Sequence, residues 1–369
     1  MIATDCKDID SKIIMEKLND NCLLILFGNL NVKDLVAVAK VSRKWKNVAY
    51  SRSLWRQMNV RLKCGLKPLS VVMLSGLEDR GVCNIRMTTK DELSLLPCDA
   101  AQYHLAKQLQ RVIQSLPLRH LDLEDYELHD QKIQALFSQE MTNLRWLALP
   151  RVSEFSSVLH VSRLCPNLLT LSAIFVCIPS DKISVLGRNM PHLRHLLLAP
   201  TPDATDDAMR DIRLHMPYLW RVNVHHTFHV SNDGIAQLAR MRHLHHLSLM
   251  DCQGVTGDFI RILAEANSPI KSLEIWDCRG IDYNQMLTNI GQYRLPLEEI
   301  TIRHRSSSPV TDDGIAGLVQ NTPNPLKRLQ LPDNHQVTRE TGEALIRKHC
   351  PDFENFRPRW KEYNCYRCY

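Results

Sequence analysis

The sequence lacks the features that mark a membrane protein, a secreted protein or a common enzyme. It has no uninterrupted apolar run of about eighteen residues, which a membrane-spanning helix would need. Residues 1–10 carry three aspartates and no apolar signal core, and no Asn-x-Ser/Thr glycosylation site occurs. Nucleophile-elbow, Walker A, dinucleotide-binding and zinc-protease motifs are absent. We therefore expect a non-catalytic protein without a membrane segment, a bound metal or a cofactor.

Cysteine is present, but it does not form the pattern of a disulfide framework. The twelve cysteines are scattered along 369 residues, and several fall at positions that a repeat would bury. Buried free thiols behave as small apolar side chains, and they persist in reducing compartments. We therefore expect a cytoplasmic location, a nuclear location, or both.

The positive charge is concentrated at the two ends of the chain. The formal net charge is +6, of which residues 1–60 contribute +4 and residues 357–369 contribute +3. Subtraction leaves −1 for residues 61–356. A nearly neutral central segment is not typical of a phosphate-binding surface, so we expect no nucleic-acid partner.

One phrase, L-x-x-L-x-L, recurs through the chain and defines its main part. Clear copies begin at Leu118, Leu144, Leu193, Leu244 and Ile270, and looser copies begin at Leu168, Leu219, Leu297, Leu326 and Phe353. Successive starts are 26, 24, 25, 26, 25, 26, 27, 29 and 27 residues apart. This period indicates leucine-rich repeats. Because side chains alternate faces along a strand, positions 1, 4 and 6 should be buried and positions 3, 5 and 7 should face outward.

The remainder of each unit is typical of a turn followed by a helix. Ser231 and Thr311 stand where a helix begins, and their side-chain oxygens can accept hydrogen bonds from free backbone N–H groups. Cys165-Pro166, Met190-Pro191, Met216-Pro217 and Cys350-Pro351 predict helix ends. Cys252 and Cys278 occupy position nine of their units, as in the cysteine-containing class of leucine-rich repeats that these units resemble. The predicted fold is α/β: a leucine-rich-repeat solenoid, shaped as a horseshoe, with a parallel sheet on the concave face and helices on the convex face.

A second pattern, between residues 15 and 58, predicts three short helices. Its apolar residues recur at helical spacing, and Asn31 is a plausible helix cap. About forty residues rarely fold without a partner, so an apolar face left over after packing would be a binding surface.

These residues resemble the F-box. The spacing Leu18, Leu23, Leu26-Phe27, Leu30, Asp34-Leu35, Val41-Ser42, Trp45 and Leu54-Trp55 follows the family pattern without a gap. Asn19 and Asn21 depart from it, since the family usually has proline and an acidic residue there. Together with the repeats, the chain resembles the F-box/leucine-rich-repeat family, the substrate receptors of SCF-type cullin-RING ubiquitin ligases.

The resemblance implies two partners and a division of the chain. The F-box would bind the Skp adaptor and, through it, the cullin-RING ligase, while the repeats would bind a protein substrate. The expected divisions are an N-terminal tail (1–14), an F-box (15–58), a linker with an irregular first repeat (59–117), the repeats (118–356) and a C-terminal tail (357–369). The residues expected to bind the adaptor are Leu18, Leu23, Leu26, Phe27, Leu30, Asp34, Leu35 and Trp45.

The concave face should bind the substrate. Trp and Arg often dominate interfaces, and large apolar side chains at outward strand positions suggest a binding surface. The C-terminal tail could instead fold back over some of them. The candidates are Trp146, His195, Leu197, Arg221, Asn223, His225, His246, Met250, Trp276, Arg303 and Arg328.

An alternative function is a non-catalytic repeat scaffold, in which the F-box-like helices only cap the array. A cap needs a polar outer face, whereas a receptor needs an apolar one. We expect Leu23, Phe27 and Leu35 to give more apolar surface than a cap requires, which favours the receptor. Three further groups have simple interpretations. The histidines near residues 225 and 245 are interpreted as polar surface, the Cys365-x-x-Cys368 pair as part of the tail, and the serines at 306–308 as a loop.

Overall fold

The computed structural model describes residues 18–65, 67–89, 98–126, 128–150, 154–174, 179–199, 203–304, 309–319, 326–331, 336–338 and 355–357. The chain divides into two compact units, residues 1–126 and 127–369. The C-terminal tail, its cysteine pair, Cys350-Pro351 and the serines at 306–308 lie outside the described residues. No helix in the described part of the chain is both long enough and apolar enough to span a bilayer.

The first unit begins with four short helices and continues with three parallel strands. Its helices are α1 (Asp20–Phe27), α2 (Val32–Val38), α3 (Arg43–Ala49), α4 (Arg52–Trp55), α5 (Val71–Asp79) and α6 (Cys98–Ser115). Its strands are β1 (Asn59–Cys64), β2 (Asn84–Thr89) and β3 (His120–Asp122). The F-box-like region therefore has four helices rather than three, because Arg52–Trp55 forms a further turn.

Side-chain caps explain where the first three helices begin. Asn19 accepts a hydrogen bond from the Cys22 amide at 2.8 Å, and Asn31 accepts one from the Asp34 amide at 3.0 Å. Ser42 accepts one from the Trp45 amide at 3.1 Å. Asn and Ser are preferred at this position because their oxygens satisfy amides that have no partner within the helix. Asn19, where the F-box family usually has proline, thus has a clear structural role here.

Residues 59–117, expected to be a linker with an irregular first repeat, contain two parallel strands and two helices. Strand β1 pairs in parallel with β2, with Asn59 opposite Asn84 and Cys64 opposite Thr89. Side chains along β1 alternate between exposed and buried. Two strand–helix pairs, β1–α5 and β2–α6, therefore precede the first clear leucine phrase.

The second unit alternates strands and helices over its whole described length. Its strands are β4 (Trp146–Ala148), β5 (Thr170–Ile174), β6 (His195–Ala199), β7 (Arg221–His225), β8 (His246–Met250), β9 (Ser272–Trp276), β10 (Glu299–Arg303), β11 (Arg328–Gln330) and β12 (Asn355–Arg357). Its helices are α7 (Asp130–Leu136), α8 (Phe155–Leu164), α9 (Ile183–Asn189), α10 (Asp206–His215), α11 (Asn232–Ala239), α12 (Phe259–Glu265), α13 (Tyr283–Gln292) and α14 (Asp312–Val319). A short 3-10 turn, Ser180–Lys182, precedes α9.

The strands form an open parallel sheet in chain order. Positions 1, 4 and 6 of the phrase are buried wherever their side chains are described, as for Leu244, Leu247 and Leu249, each 0 % exposed. The repeat fold expected from the sequence is confirmed. Strand, turn and helix recur with the predicted period, and each repeat buries its apolar face against the next repeat.

Helix ends also follow the sequence prediction. Helices α8, α9 and α10 end one residue before Cys165, Met190 and Met216, which act as C-caps and precede proline. Proline has no amide hydrogen, so it cannot continue a helix. Ser231 caps α11 as predicted, since its hydroxyl accepts a hydrogen bond from the Asp233 amide at 3.1 Å.

The position-nine cysteines have a specific structural role. Asp251 and Asp277, which follow β8 and β9, both have φ of 49°, a left-handed conformation that Asp tolerates better than most residues. The chain then turns inward, and the thiols of Cys252 and Cys278 donate to the carbonyls of Val224 and Leu249. These thiols are buried and free, and they hydrogen-bond to backbone groups of the preceding unit.

Glycines allow two neighbouring helices to approach closely. A Cβ added at Gly291 in α13 would collide with the carbonyl oxygens of Gly317 and Leu318 in α14. One added at Gly317 would in turn collide with the Thr288 side chain. Only glycine permits this backbone approach.

Candidate functional site

The F-box-like helices of the first unit have a core of their own. Leu23, Phe27 and Leu35 are 0 %, 3 % and 0 % exposed. The Phe27 and Trp45 rings meet edge to face with centroids 5.3 Å apart, an arrangement that stabilises aromatic pairs. The expectation that Leu23, Phe27 and Leu35 supply an outward apolar surface is therefore wrong, because the helices bury them against one another.

A different set of side chains forms the exposed apolar surface of these helices. Ile25 is 71 % exposed, Leu26 46 % and Val41 56 %. Of these three, only Leu26 was among the predicted adaptor residues. The missed signal is the composition of α1, whose sequence DNCLLILF is apolar at almost every position. A helix that buries Leu23 and Phe27 on one side must leave Ile25 and Leu26 on another.

The remaining predicted adaptor residues lie at the margins of this core. Leu18, Leu30 and Trp45 are half-buried, and Asp34 is exposed. Asp34 accepts a hydrogen bond from the Asn31 side chain at 2.6 Å, so it helps to fix the start of α2.

Specific contacts fix the F-box-like helices to the first strand–helix pairs of the same unit. The Arg80 guanidinium lies over the rings of Tyr50 and Trp55, 4.5 and 5.4 Å from their centroids. The Arg52 side chain donates to the Asp79 carbonyl at 2.9 Å. Cation–π contacts of this kind contribute about 0.5–1 kcal/mol at exposed sites and more when desolvated. The four helices therefore pack against the end of α5 within one folded unit.

In the second unit, the parallel register aligns the outward strand positions in rows. Position 3 gives a first row in which Trp146, Thr170, His195 and Arg221 are successive partners. The row continues through His246, Ser272, Glu299 and Arg328. Position 7 gives another row, running from His225 through Met250 and Trp276 to Arg303. Predicted substrate residues from distant parts of the sequence thus lie side by side, although in more than one row.

A small polar network joins the first row to position 5, where Asn223 and Glu274 lie. Arg221 Nη2 and His246 Nε2 each lie 3.8 Å from Glu274 Oε2, and Arg221 Nε donates to Asn223 Oδ1 at 3.1 Å. Burial, together with the nearby positive charges of Arg221 and His195, lowers the pKa of His246 to about 3. His246 is therefore neutral at pH 7, and its contact with Glu274 is not an ion pair there.

Position 7 combines aromatic, cationic and apolar side chains. The Arg303 guanidinium lies 4.9 Å from the centroid of the Trp276 ring, and Met250 is the neighbour of Trp276 on the other side. Both Trp276 and Met250 are half-buried. A half-buried Trp held by an Arg can contact a partner with little loss of side-chain freedom.

Not every predicted substrate residue is available on this face. Asn223 and His225 are each only 9 % exposed, so the expectation that they face a substrate is wrong. The sheet is crowded there, and His225 Nε2 lies 3.3 Å from Ser248 Oγ. Burial, assisted by His226 and Arg221, lowers the pKa of His225 to about 4.

The other candidates are accessible to different degrees. Trp146, His195 and Leu197 are half-buried. Arg328 is exposed and pairs with Glu299 at 2.9 Å. Within the described ranges, no three His, Cys, Asp or Glu side chains are grouped as metal ligands.

Comparisons with known proteins agree with both parts of this description. Residues 20–61 match the F-box-like family model, and no curated protein matches the chain. Among solved structures, the complex of Rad7 and Elc1 in yeast is similar, with a TM-score of 0.52, 15 % identity, and coverage of 92 % of this chain and 95 % of that chain. An internalin from Listeria monocytogenes gives a TM-score of 0.43 at 16 % identity, covering 82 % of this chain and 74 % of its own.

The matches define what kind of chain this is. It carries an F-box-like domain at residues 20–61, which extends into strand β1. The rest of the described chain has a repeat fold similar to that of the yeast structure. At 15 % identity, that similarity concerns the fold alone.

Proposed function

We propose that this protein is the substrate-recognition subunit of an SCF-type ubiquitin ligase. The F-box-like helices would bind the Skp adaptor and, through it, the cullin-RING assembly, while the sheet face of the second unit would bind the protein substrate. The chain itself would be non-catalytic and would contribute proximity between the substrate and the conjugating enzyme. Such a receptor would act in the cytoplasm, the nucleus or both.

One observation carries this proposal. The F-box-like helices already have a complete core, yet Ile25 and Leu26 remain exposed on α1. An apolar surface on a small domain with a finished core is what a binding module requires. The F-box-like match over residues 20–61 supports the adaptor as the partner.

A repeat scaffold acting outside a ligase is the second candidate, and the contacts of Arg80 favour it. Arg80 holds Tyr50 and Trp55 against the start of the repeats, as a cap of a solenoid would be held. The two functions differ in their demands on Ile25 and Leu26. Polar residues at these two positions would make a cap more soluble, whereas in a receptor they would abolish binding of the adaptor.

The test is binding of purified Skp adaptor to the full chain and to Ile25→Glu/Leu26→Glu. Because both residues are exposed, the variant should stay folded by circular dichroism but lose adaptor binding. Val72→Glu is a matched control, since Val72 lies in the same unit and is 82 % exposed. Undiminished adaptor binding by the double variant would contradict the proposal.

Substrate binding can be tested separately on the sheet face. Trp276→Ala combined with Arg221→Ala should remove the partners that cells provide, because a few anchors carry most interface energy. Adaptor binding should be unchanged. Arg261→Ala, at an exposed helix position where Arg261 pairs with Glu265, is the control. Mass spectrometry identifies the captured partners. If the double variant captures the same proteins as the wild type, the sheet face is not the substrate-binding surface.

A further inference from the structure

A ladder of aromatic and imidazole rings, some stacked and some tilted, lies at the start of three consecutive strands in the second unit. The Tyr218 ring lies between His192 and His243, with centroid separations of 6.4 and 5.7 Å. The Trp220 ring lies between His195 and His245, with separations of 5.3 and 6.2 Å. The aromatic ladder is defined here as these six residues: His192, His195, Tyr218, Trp220, His243 and His245.

The ladder remains accessible although its rings contact one another. Tyr218 is 51 % exposed and Trp220 44 % exposed. Leu214, which precedes them at the end of α10, is 53 % exposed. The described part of the second unit has five exposed large hydrophobic side chains, and these are three of them; the other two are Phe228 and Tyr293. Exposed apolar groups clustered in this way usually mark an interaction site.

The backbone holds the ladder in a fixed register. The Trp220 amide donates to the Arg194 carbonyl at 2.7 Å, and the His245 amide donates to the Trp220 carbonyl at 2.9 Å. These bonds place Trp220 and His245 one strand spacing, about 5 Å, apart, with Arg194 on the other side of Trp220. Because the rings are already ordered, a partner that packs on them would lose little further conformational entropy.

The three chain segments that carry the ladder contain arginine but no acidic residue. Residues 188–195, 213–221 and 240–246 include six arginines and no aspartate or glutamate. Two of the six, Arg213 and Arg221, contact Gln237 and Glu274. The other four are exposed and have no carboxylate partner among the described residues; they are Arg188, Arg194, Arg240 and Arg242. This concentration is hidden in the near-neutral charge of residues 61–356.

The positive charge lies close to one of the rings, and it has a boundary along the sheet. Burial lowers the pKa of His195, and the charges of Arg221 and Arg194 lower it further. In the next repeat, Lys271 occupies the position of Trp220 and His245. Its Nζ lies 2.8 Å from Glu298 Oε1, which neutralises its charge. The unpaired positive charge is therefore limited to about three repeats, or roughly 10 Å along the sheet.

We propose that the aromatic ladder is a docking surface for a short acidic segment of a partner protein. Carboxylates of the segment would pair with the exposed arginines, and its apolar side chains would pack on Tyr218 and Trp220. About three residues of extended chain span 10 Å. Single-stranded nucleic acid is a poorer fit, because its binding sites follow at least about four nucleotides of backbone. This surface is separate from the adaptor-binding helices, and the proposal does not depend on them.

The test uses full-length protein and a fluorescein-labelled peptide of alternating Glu and Leu, followed by fluorescence anisotropy. Arg194→Glu combined with Arg242→Glu should weaken binding by at least about tenfold, since each charge-assisted hydrogen bond contributes on the order of a tenfold change. Trp220→Ala should weaken binding as well. Arg279→Glu and Phe228→Ala are the matched controls, because both residues are exposed in the same unit but outside the ladder.

The outcomes separate the alternatives. Weakening by the ladder variants alone, with unchanged thermal unfolding, supports the proposal. The proposal is overturned if the peptide does not bind, or if the ladder variants and the controls bind it equally well. It is also overturned if labelled oligothymidylate binds more tightly than the peptide and the ladder variants lose that binding.

Discussion

Lowering the pH from 7 to 5 should destabilise the second unit through two histidines on its sheet face. The pKa of His225 is lowered to about 4 and that of His246 to about 3, mainly because both are buried. In the unfolded chain both would titrate near 6.5. Their contribution to stability is therefore complete above pH 6.5, and it is lost as the pH falls, because the unfolded chain binds protons that the folded chain excludes.

The size of the effect follows from the separation of these pKa values. At pH 5 each unfolded imidazole is almost fully protonated and each folded one is almost neutral. Each site therefore costs about 2 kcal/mol between pH 7 and 5, and the two together cost about 4 kcal/mol. That is a large fraction of the stability of an ordinary domain.

Urea denaturation at both pH values measures the loss directly. In His225→Gln/His246→Gln, the decrease in unfolding free energy between pH 7 and 5 should be smaller than in the wild type by about 4 kcal/mol. Lys271, an exposed cation of the same unit, provides a control through Lys271→Gln, which should show the wild-type decrease. An equal decrease in the double variant would refute the assignment of the pH effect to these histidines.

Two further predictions concern the core of each unit. Leu23→Ala should lower the unfolding free energy of the first unit by about 2–5 kcal/mol, because it leaves a cavity, whereas Leu26→Ala should change it by less than about 0.5 kcal/mol. Equal losses measured by urea titration would contradict the burial of Leu23. In the native protein, iodoacetamide should modify exposed Cys22 but not Cys165, since burial raises the pKa of the Cys165 thiol to about 12. Mass spectrometry that finds Cys165 alkylated as fast as Cys22 would contradict that environment.

The repeat fold could be predicted because its signal is periodic. Leu244, Leu247 and Leu249 belong to a phrase that returns every 24–29 residues, and the structure buries all three. Strand β1 was missed although Asn59 lies 25 residues before Asn84, by subtraction, which is a repeat length. Its sequence, NVRLKC, alternates correctly but has no leucine at the first and last inward positions.

The F-box-like surface was harder to predict. In DNCLLILF, nearly every residue is apolar, so helical spacing does not determine which side of α1 is buried. The answer depends on the neighbouring helices, since Phe27 packs on Trp45 of α3. Ile25 is left exposed by that tertiary choice, which no local pattern contains.

The aromatic ladder was overlooked for a similar reason. Tyr218 and Trp220 come from one looser copy of the repeat, and the sequence pattern around His243 and His245 indicates only a polar surface. Only the register of the sheet brings His192 and His243 to either side of Tyr218. Net charge summed over a long segment concealed the local excess of arginine.

Titration calorimetry of the wild-type full chain with purified Skp adaptor tests the central claim most directly. The account predicts saturable binding of one adaptor per chain, with a negative heat-capacity change because exposed Ile25 and Leu26 become buried. Absence of binding by a chain that circular dichroism shows to be folded would contradict the receptor function. It would leave the repeat scaffold as the function of this protein.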